Sequence, residues 1–139
     1  MREQSPFARR SLGREQHRTF YATYITSQQW RDRRTLWAAT ETARLAPAVL
    51  SCVGCDDRWR LSHDDLHHCD YARLGAEADD DLWPLCRACH DQLHAILDAV
   101  PAYRKMKKRH ANTLALAALR SSTKTGNGDH GIAALLAAL

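Results

Sequence analysis

The chain has no apolar run that approaches the roughly 20 residues needed to cross a bilayer. Its first 13 residues, MREQSPFARRSLG, are polar and lack the apolar segment of a signal peptide. These two absences predict a cytoplasmic protein with no membrane partner, in a compartment where disulfide bonds are disfavoured. The five cysteines are therefore better interpreted as metal ligands than as cross-links.

The sequence also lacks internal repeats and any segment typical of a module that reads DNA bases. A length of 139 residues predicts one domain, and a hydrophobic fraction of 45% argues against global disorder. Charge is unevenly distributed: residues 1–50 carry nine basic against four acidic side chains, residues 51–100 four against eleven, and residues 101–139 seven against one. Basic arms around an acidic centre are typical of nucleic-acid-binding proteins, although solvated helix faces are the commoner explanation of charge runs.

Periodicity predicts helices around short extended segments. A helix is expected from Thr26, with a capping box of Thr26 and Gln29 at its start. RWRLS and DLHHCD are predicted to be short strands, and LWPL a further extended piece. Helical spacing returns at residues 89–97, and Pro101 suits the first turn of another, basic helix. The pattern predicts an α+β fold.

Four of the cysteines form two Cys-x-x-Cys pairs, Cys52 with Cys55 and Cys86 with Cys89. Each pair can supply two corners of a tetrahedron, so the pattern predicts a structural zinc site with four thiolates. The long spacer between the pairs indicates an inserted element. Redox-active cysteines are the alternative. Cys69 has no partner pair and is interpreted as a small buried residue.

Four histidines fall into two close pairs near these cysteines. His90 and His94 are four residues apart and therefore share one face of a helix. His67 and His68 are adjacent on a predicted strand and therefore point to opposite sides. One of the strand histidines could join His90 and His94 around a second metal ion, with the other close by. The alternative, histidines without a ligand role, is less consistent with this clustering.

The segments YITSQQWRDRRTLW, CVGC and LHHCDYARLGAEADDDLWPLCRACHDQLH resemble the HNH endonuclease family over about residues 24–96. The resemblance implies a small ββα-metal (His-Me finger) core, a β-hairpin and a helix that clamp one divalent cation, with a structural four-cysteine zinc site and flanking α-helices. The nuclease domain is then expected at residues 23–120. Composition predicts a flexible basic arm at 1–22 and a linker with a short apolar tail at 121–139.

The resemblance also implies roles for individual residues. His68 corresponds to the general base, and His67, His90 and His94 to ligands of the catalytic ion, so that His67 and His68 both belong to the catalytic set. The asparagine of the family name aligns with Asp81. This is a departure, because an aspartate can accept but cannot donate the hydrogen bonds that brace the loop of the base.

The implied reaction is hydrolysis of phosphodiester bonds in DNA, leaving 5′-phosphate and 3′-hydroxyl ends. Histidine suits the base, because its unperturbed pKa near 6.5 leaves it mostly neutral at pH 7. The catalytic divalent cation stays open between Mg²⁺, Mn²⁺, Zn²⁺ and Ni²⁺. Three imidazoles favour Zn²⁺ or Ni²⁺ by affinity, whereas the family commonly works with Mg²⁺ or Mn²⁺.

Basic side chains on two predicted helices are the candidates for contacts with DNA phosphates, which implies weak sequence preference. They are Arg31, Arg33, Arg34, Lys105, Lys107, Lys108 and Arg109. The apolar tail IAALLAAL could dock on a protein partner or pack on its own chain. Two functions compete with a DNA endonuclease: a non-catalytic zinc module that binds nucleic acid or protein, and an RNA-cleaving toxin.

Overall fold

The structure is a computed structural model that describes residues 13–124. Helices and a small sheet alternate in this part of the chain, which confirms the α+β class. The regular elements are α1 (Arg14–Ile25), α2 (Gln28–Leu45), β1 (Asp65–His68), β2 (Leu82–Leu85), α3 (Arg87–Ala99) and α4 (Lys108–Lys124), with 3₁₀ turns at Asp79–Asp81 and Pro101–Lys105. None of the helices within residues 13–124 is long and apolar enough to cross a membrane.

The two strands form an antiparallel pair that leads directly into α3. Asp65 pairs with Leu85 and His68 with Leu82. Cys86 separates β2 from α3 and caps the helix, because its Sγ accepts the Cys89 N–H at 3.4 Å. The order strand, strand, helix therefore brings His67 of β1 next to the face of α3.

Helix α2 packs on the sheet through its tryptophans. Trp30 and Trp37 are seven residues apart, on one face of the helix, and both are buried. The helix begins after Ser27, whose Oγ accepts the Trp30 N–H at 3.1 Å. The predicted capping box of Thr26 and Gln29 is therefore wrong by one residue, and Thr26 instead ends α1.

Helix α1 corrects the prediction of a flexible arm at residues 1–22. Residues 14–22 lie in the helix, which is held by aromatic side chains: Tyr24 is fully buried, and Phe20 and Tyr21 pack against the same core. This spacing suits a helix face, but the arginine-rich composition obscured it. Residues 1–12 lie outside the described part of the chain.

Two further segments differ from the sequence prediction. RWRLS is not a strand and contributes only an isolated bridge between Ser51 and Arg58. The helix expected from Pro101 is present as α4 from Lys108 onward, but its first part is a 3₁₀ turn at Pro101–Lys105. Helix α4 then runs past the predicted start of the linker at residue 121. The rest of the linker and the apolar tail IAALLAAL lie outside the described residues.

Two cores lie on either side of the hairpin. The first core joins α1 and α2 to the sheet and includes Tyr24, Trp30, Trp37, Trp59 and Leu66. The second core joins β2, α3 and α4 and includes Cys52, Cys89, Leu93, Ile96 and Leu119. The cysteines are therefore part of the packing that holds α3 and α4 together.

Candidate active site and metal centres

Two cysteine pairs that are distant in the sequence meet in the second core. The four sulfur atoms of this cysteine cluster, from Cys52, Cys55, Cys86 and Cys89, lie within 4.8 Å of one another, and the Sγ atoms of Cys55 and Cys86 are 3.9 Å apart. A tetrahedral zinc ion with Zn–S bonds of about 2.3 Å requires sulfur separations of about 3.8 Å. The four sulfurs thus fit a structural zinc ion, while Cys69 lies outside the group.

Backbone groups close to the sulfurs shape the cysteine cluster. The Gly54 N–H donates to Cys52 Sγ at 3.3 Å. A Cβ atom on Gly54 would lie 2.8 Å from Cys89 Sγ, so the first knuckle needs glycine at this position. Thr123 of α4 donates through Oγ1 to the Gly54 carbonyl at 3.3 Å. Helix α4 therefore closes over the first cysteine pair.

Burial of the sulfurs disfavours adjacent thiolates unless a cation neutralises their charge. Burial raises the pKa of Cys55 to about 12 and also raises the pKa of Cys89. Burial acts in the same direction on Cys52, but N–H donors from Cys86, Cys55 and Gly54 outweigh it and lower that pKa. A dication at the centre offsets the repulsion of adjacent thiolates, as metal ligation requires.

Three histidines from β1 and α3 form a second donor group, the histidine cluster. His67 Nδ1 lies 3.2 Å from His90 Nε2, and His94 Nε2 lies 3.1 Å from the same atom. Three nitrogens around one ion at about 2.1 Å would be separated by about 3.4 Å in a tetrahedral arrangement. The cluster thus fits a divalent cation with one coordination position left for a further ligand.

Neighbouring side chains hold one nitrogen of His67 and one of His90 as a hydrogen-bond donor. Asn112 donates through Nδ2 to the Lys108 carbonyl at 3.0 Å, so its Oδ1 accepts from His67 Nε2 at 2.6 Å. Asp65 Oδ2 accepts from His90 Nδ1 at 3.0 Å. When both rings are neutral, as metal ligation requires, the lone pairs of His67 Nδ1 and His90 Nε2 face each other. Such a contact is repulsive unless a cation lies between the two atoms, which is a second reason why the donors fit a metal.

Two rings of the histidine cluster, His67 and His94, are held neutral by burial, and the cluster reaches solvent on one side. Burial lowers the pKa of His67 to about 3 and also lowers the pKa of His94. Neutral imidazoles are the ligand form, so these rings can bind a metal at pH 7 without losing a proton first. His67 is 3% exposed, whereas the His90 side chain is 24% exposed. A ligand from solvent therefore approaches on the His90 side.

The other strand histidine, His68, points into the first core and pairs with Glu77. His68 Nε2 lies 2.9 Å from Glu77 Oε1, and Tyr24 OH donates to Glu77 Oε2 at 2.9 Å. Burial alone would raise the pKa of Glu77, but hydrogen bonds from His68 and the backbone, including the Gly75 N–H, lower it. The ionised carboxylate accepts only, so His68 Nε2 carries hydrogen, and the lone pair of the neutral ring is on Nδ1.

Aromatic rings enclose His68. Trp30 stacks on it with ring centroids 4.6 Å apart, and the His68 side chain is 2% exposed. The half-buried Tyr21 and Tyr71 each lie 5.9 Å from its ring. Because Trp30 is itself buried, the tyrosines mark the side of His68 closer to solvent.

Asp81 is buried and acts as an acceptor for several donors. Arg73 donates through Nε to Asp81 Oδ2 at 2.8 Å and through Nη2 to Oδ1 at 2.7 Å. Arg109 also donates to Oδ1, and the Ala78 N–H donates to Oδ2 at 2.9 Å. Arg73, together with Ala78 and Arg109, holds the pKa of Asp81 below its usual value. The Cys69 N–H, next to His68, donates to the Asp81 carbonyl at 2.9 Å. An aspartate therefore suits this brace, since its carboxylate only accepts here.

The basic residues predicted to contact DNA differ in availability. Arg33 Nη2 pairs with Asp79 at 2.6 Å, Arg34 Nη2 donates to the Asp64 carbonyl at 3.0 Å, and Arg109 serves the Asp81 brace. These three arginines support the fold. The other four predicted contacts are exposed and have no carboxylate at salt-bridge distance within residues 13–124. They are Arg31, Lys105, Lys107 and Lys108.

Comparisons with protein-family models, curated proteins and solved structures gave no match for this chain. Sequence reasoning did not find the roles of Asp65, Glu77 and Asn112, although Glu77 belongs to the pattern that resembles the HNH endonucleases. Asp65 and Asn112 had no local signal, because their partners lie 25 and 45 residues away.

Proposed function

We propose that the protein is a metal-dependent endonuclease that hydrolyses phosphodiester bonds in duplex DNA, and that β1, β2 and α3 form an HNH-type ββα-metal core. One observation carries this proposal. Adjacent residues of β1 present two different chemical groups: His67 belongs to a three-imidazole donor cluster, and His68 pairs with a buried carboxylate. A cation site next to a candidate base is the combination that phosphodiester hydrolysis needs.

The histidine cluster would hold the working cation through His67 Nδ1, His90 Nε2 and His94 Nε2. A divalent ion bound there supplies Lewis-acid stabilisation of a phosphate oxygen. The protein contributes three imidazole ligands. Asn112 and Asp65 keep two of the rings in the tautomer whose lone pair faces the cluster.

His68 is the proposed general base through Nδ1. Glu77 holds the Nε2 hydrogen, so the ring cannot present the wrong tautomer to water. When Nδ1 takes a proton, the Glu77 carboxylate stabilises the resulting imidazolium, as a carboxylate does in other histidine-based sites. Substrate and water would reach the ring past Tyr21 and Tyr71, the half-buried residues beside it.

The structural zinc has a positioning task in this proposal. Cys89 directly precedes His90, and Cys86 caps the helix that carries both His90 and His94. Zinc at the cysteine cluster would therefore fix the first turn of α3, and with it the place of two ligands of the working cation.

A second function is a zinc-stabilised module that binds nucleic acid without cutting it. The observation that favours it is the burial of His68, whose side chain is 2% exposed. A base that water cannot reach would leave only the binding role.

Cleavage of supercoiled plasmid separates the two functions. We expect the full chain to convert the plasmid to open-circular or linear forms with at least one of Mg²⁺, Mn²⁺, Ni²⁺ or Zn²⁺, and His68→Ala to be slower by roughly 10²–10⁴-fold. His63→Ala, an exposed histidine outside both sites, is the matched control. Absence of cleavage with every metal would reject the endonuclease, and full activity of His68→Ala would reject the base.

A further inference from the structure

A basic cleft lies between α1 and the connection from α3 to α4. It has a volume of about 490 Å³, and its charged lining consists of Arg14, Arg18, Arg104 and Lys108 against one acid, Asp98. Arg14 and Arg18 are one turn apart on α1, whereas Arg104 lies in the 3₁₀ turn and Lys108 begins α4. Cations therefore stand on both walls.

The positive charge of this cleft is not neutralised by the fold. Within residues 13–124, no carboxylate lies at salt-bridge distance from any of the four cations. Arg104 donates to the backbone carbonyl of Asp98 at 3.2 Å, which orients the side chain but leaves its charge uncompensated. Arg33, by contrast, is paired with Asp79.

One end of the basic cleft adjoins both parts of the proposed site. Lys108 Nζ lies 4.4 Å from the ring centroid of Tyr71, and the Tyr71 ring lies 5.9 Å from that of His68. Asn112, which holds His67, follows Lys108 by one turn of α4, a rise of about 6 Å. The Lys108 end of the cleft is therefore the end nearest to the two histidines.

We propose that the basic cleft binds the phosphate backbone of the DNA substrate and leads it to the histidine cluster; this inference rests on the proposed function. Duplex DNA presents a negative charge about every 1.7 Å along its axis, so several cations in one cleft can contact successive phosphates. Such contacts position the duplex without reading its sequence. The main contact surface then lies on α1 and the start of α4 rather than on the arginines of α2.

The test is equilibrium binding of the full chain to a fluorescent duplex over a series of salt concentrations. It is done on ice without added divalent metal, and the probe is checked for integrity on a gel. Each phosphate contact contributes about −0.9 to the slope of log affinity against log salt. We expect Arg14→Ala/Arg18→Ala to bind more weakly and to reduce the steepness by about two.

A matched control has the same change in charge at a different place. Arg58→Ala/Arg60→Ala removes two exposed arginines from the loop before β1, outside the cleft lining, and should leave the slope unchanged. A second pair, Arg18→Ala/Arg104→Ala, removes one cation from each wall and should act like the α1 pair. Retained zinc and unchanged circular dichroism verify that each variant is folded.

The outcomes separate this inference from the proposed function. Binding with a slope that both cleft pairs reduce and the control does not supports the cleft. Binding in which the cleft pairs behave like the control overturns the cleft and leaves the endonuclease standing. Failure of the unmodified chain to bind duplex DNA overturns both.

Discussion

The amide oxygen of Asn112 accepts a hydrogen bond from His67 Nε2 at 2.6 Å, in a place where neither residue reaches solvent. The contact joins β1 to α4 and leaves His67 Nδ1 free to face His90. A helix outside the strand–strand–helix unit therefore determines how the strand histidine presents itself to a cation.

Substitution of Asn112 tests this positioning role. We expect Asn112→Ala to weaken binding of Ni²⁺ or Co²⁺ to the histidine cluster by about 10–100-fold, because the ring loses the partner that sets its tautomer. Calorimetric titration of zinc-loaded protein measures this. The zinc content of the cysteine cluster should stay the same. Thr113→Ala, the exposed neighbour on α4, is the control, and equal affinities in both variants would contradict the role.

The Asp81 brace predicts a dependence of stability on pH. The pKa of the Asp81 carboxyl lies below the usual 3.8. The carboxylate therefore stabilises the fold above about pH 4, and this contribution is lost as the pH falls further. Asp81→Asn should lower the free energy of unfolding at pH 7 by about 1–2 kcal/mol, at the low end for charged hydrogen bonds because Arg73 and Arg109 are partly exposed.

Denaturant unfolding at pH 7 and pH 3 measures the Asp81 effect. The difference between Asp81→Asn and the unmodified chain should be smaller at pH 3, because below about pH 4 the unfolded chain binds a proton at this carboxylate more readily than the folded chain does. Asp80→Asn removes an exposed carboxylate from the preceding position and should change the free energy of unfolding little. If the two variants were equally stable at pH 7, Asp81 would not brace the loop.

Removal of a cysteine ligand should unfold the chain. Zinc contributes about 10–16 kcal/mol in peptide systems, which matches or exceeds the usual total stability of a domain. We expect Cys52→Ser to lose its zinc by native mass spectrometry and its cooperative thermal transition by circular dichroism. Cys69→Ser lies outside the cysteine cluster and should retain both. A folded Cys52→Ser protein would show that packing alone holds α3 against α4.

Glu77→Gln tests the pair with His68. The amide keeps the size of the side chain and can still accept a hydrogen bond, but it cannot stabilise an imidazolium. We expect plasmid cleavage to slow by about 10²–10⁴-fold, with unchanged metal content. The control Glu41→Gln, at a half-buried carboxylate that pairs with Arg44 away from both sites, should cleave normally. Normal cleavage by Glu77→Gln would remove Glu77 from the mechanism.

The two donor clusters were predictable because each depends on local spacing. Two Cys-x-x-Cys pairs specify a tetrahedral site wherever the chain brings them together, and a four-residue spacing puts His90 and His94 on one helix face. Alternation along a strand likewise predicts that His67 and His68 diverge. The structure brings the four sulfurs together, and it places His67 with the α3 histidines and His68 in the first core.

The parts that the sequence did not predict depend on contacts between distant segments. The sequence around Arg33 and Arg109 does not indicate that they form salt bridges with Asp79 and Asp81. Both arginines are therefore predicted from the sequence as DNA contacts. The sequence predicts an arm where α1 forms, because the basic composition of this segment outweighs the aromatic spacing that anchors the helix. The cleft cations Arg14 and Arg18 were missed for the same reason.

Removal of one imidazole tests the division between a scaffold ion and a working ion most directly. The measurement combines metal content by native mass spectrometry with plasmid cleavage, for the unmodified chain and for His90→Ala. The expected result is that His90→Ala keeps one zinc per chain and a normal fold but no longer binds a second ion or cuts DNA. A variant that loses its zinc with the histidine, or that cuts at the normal rate, would contradict the proposed mechanism.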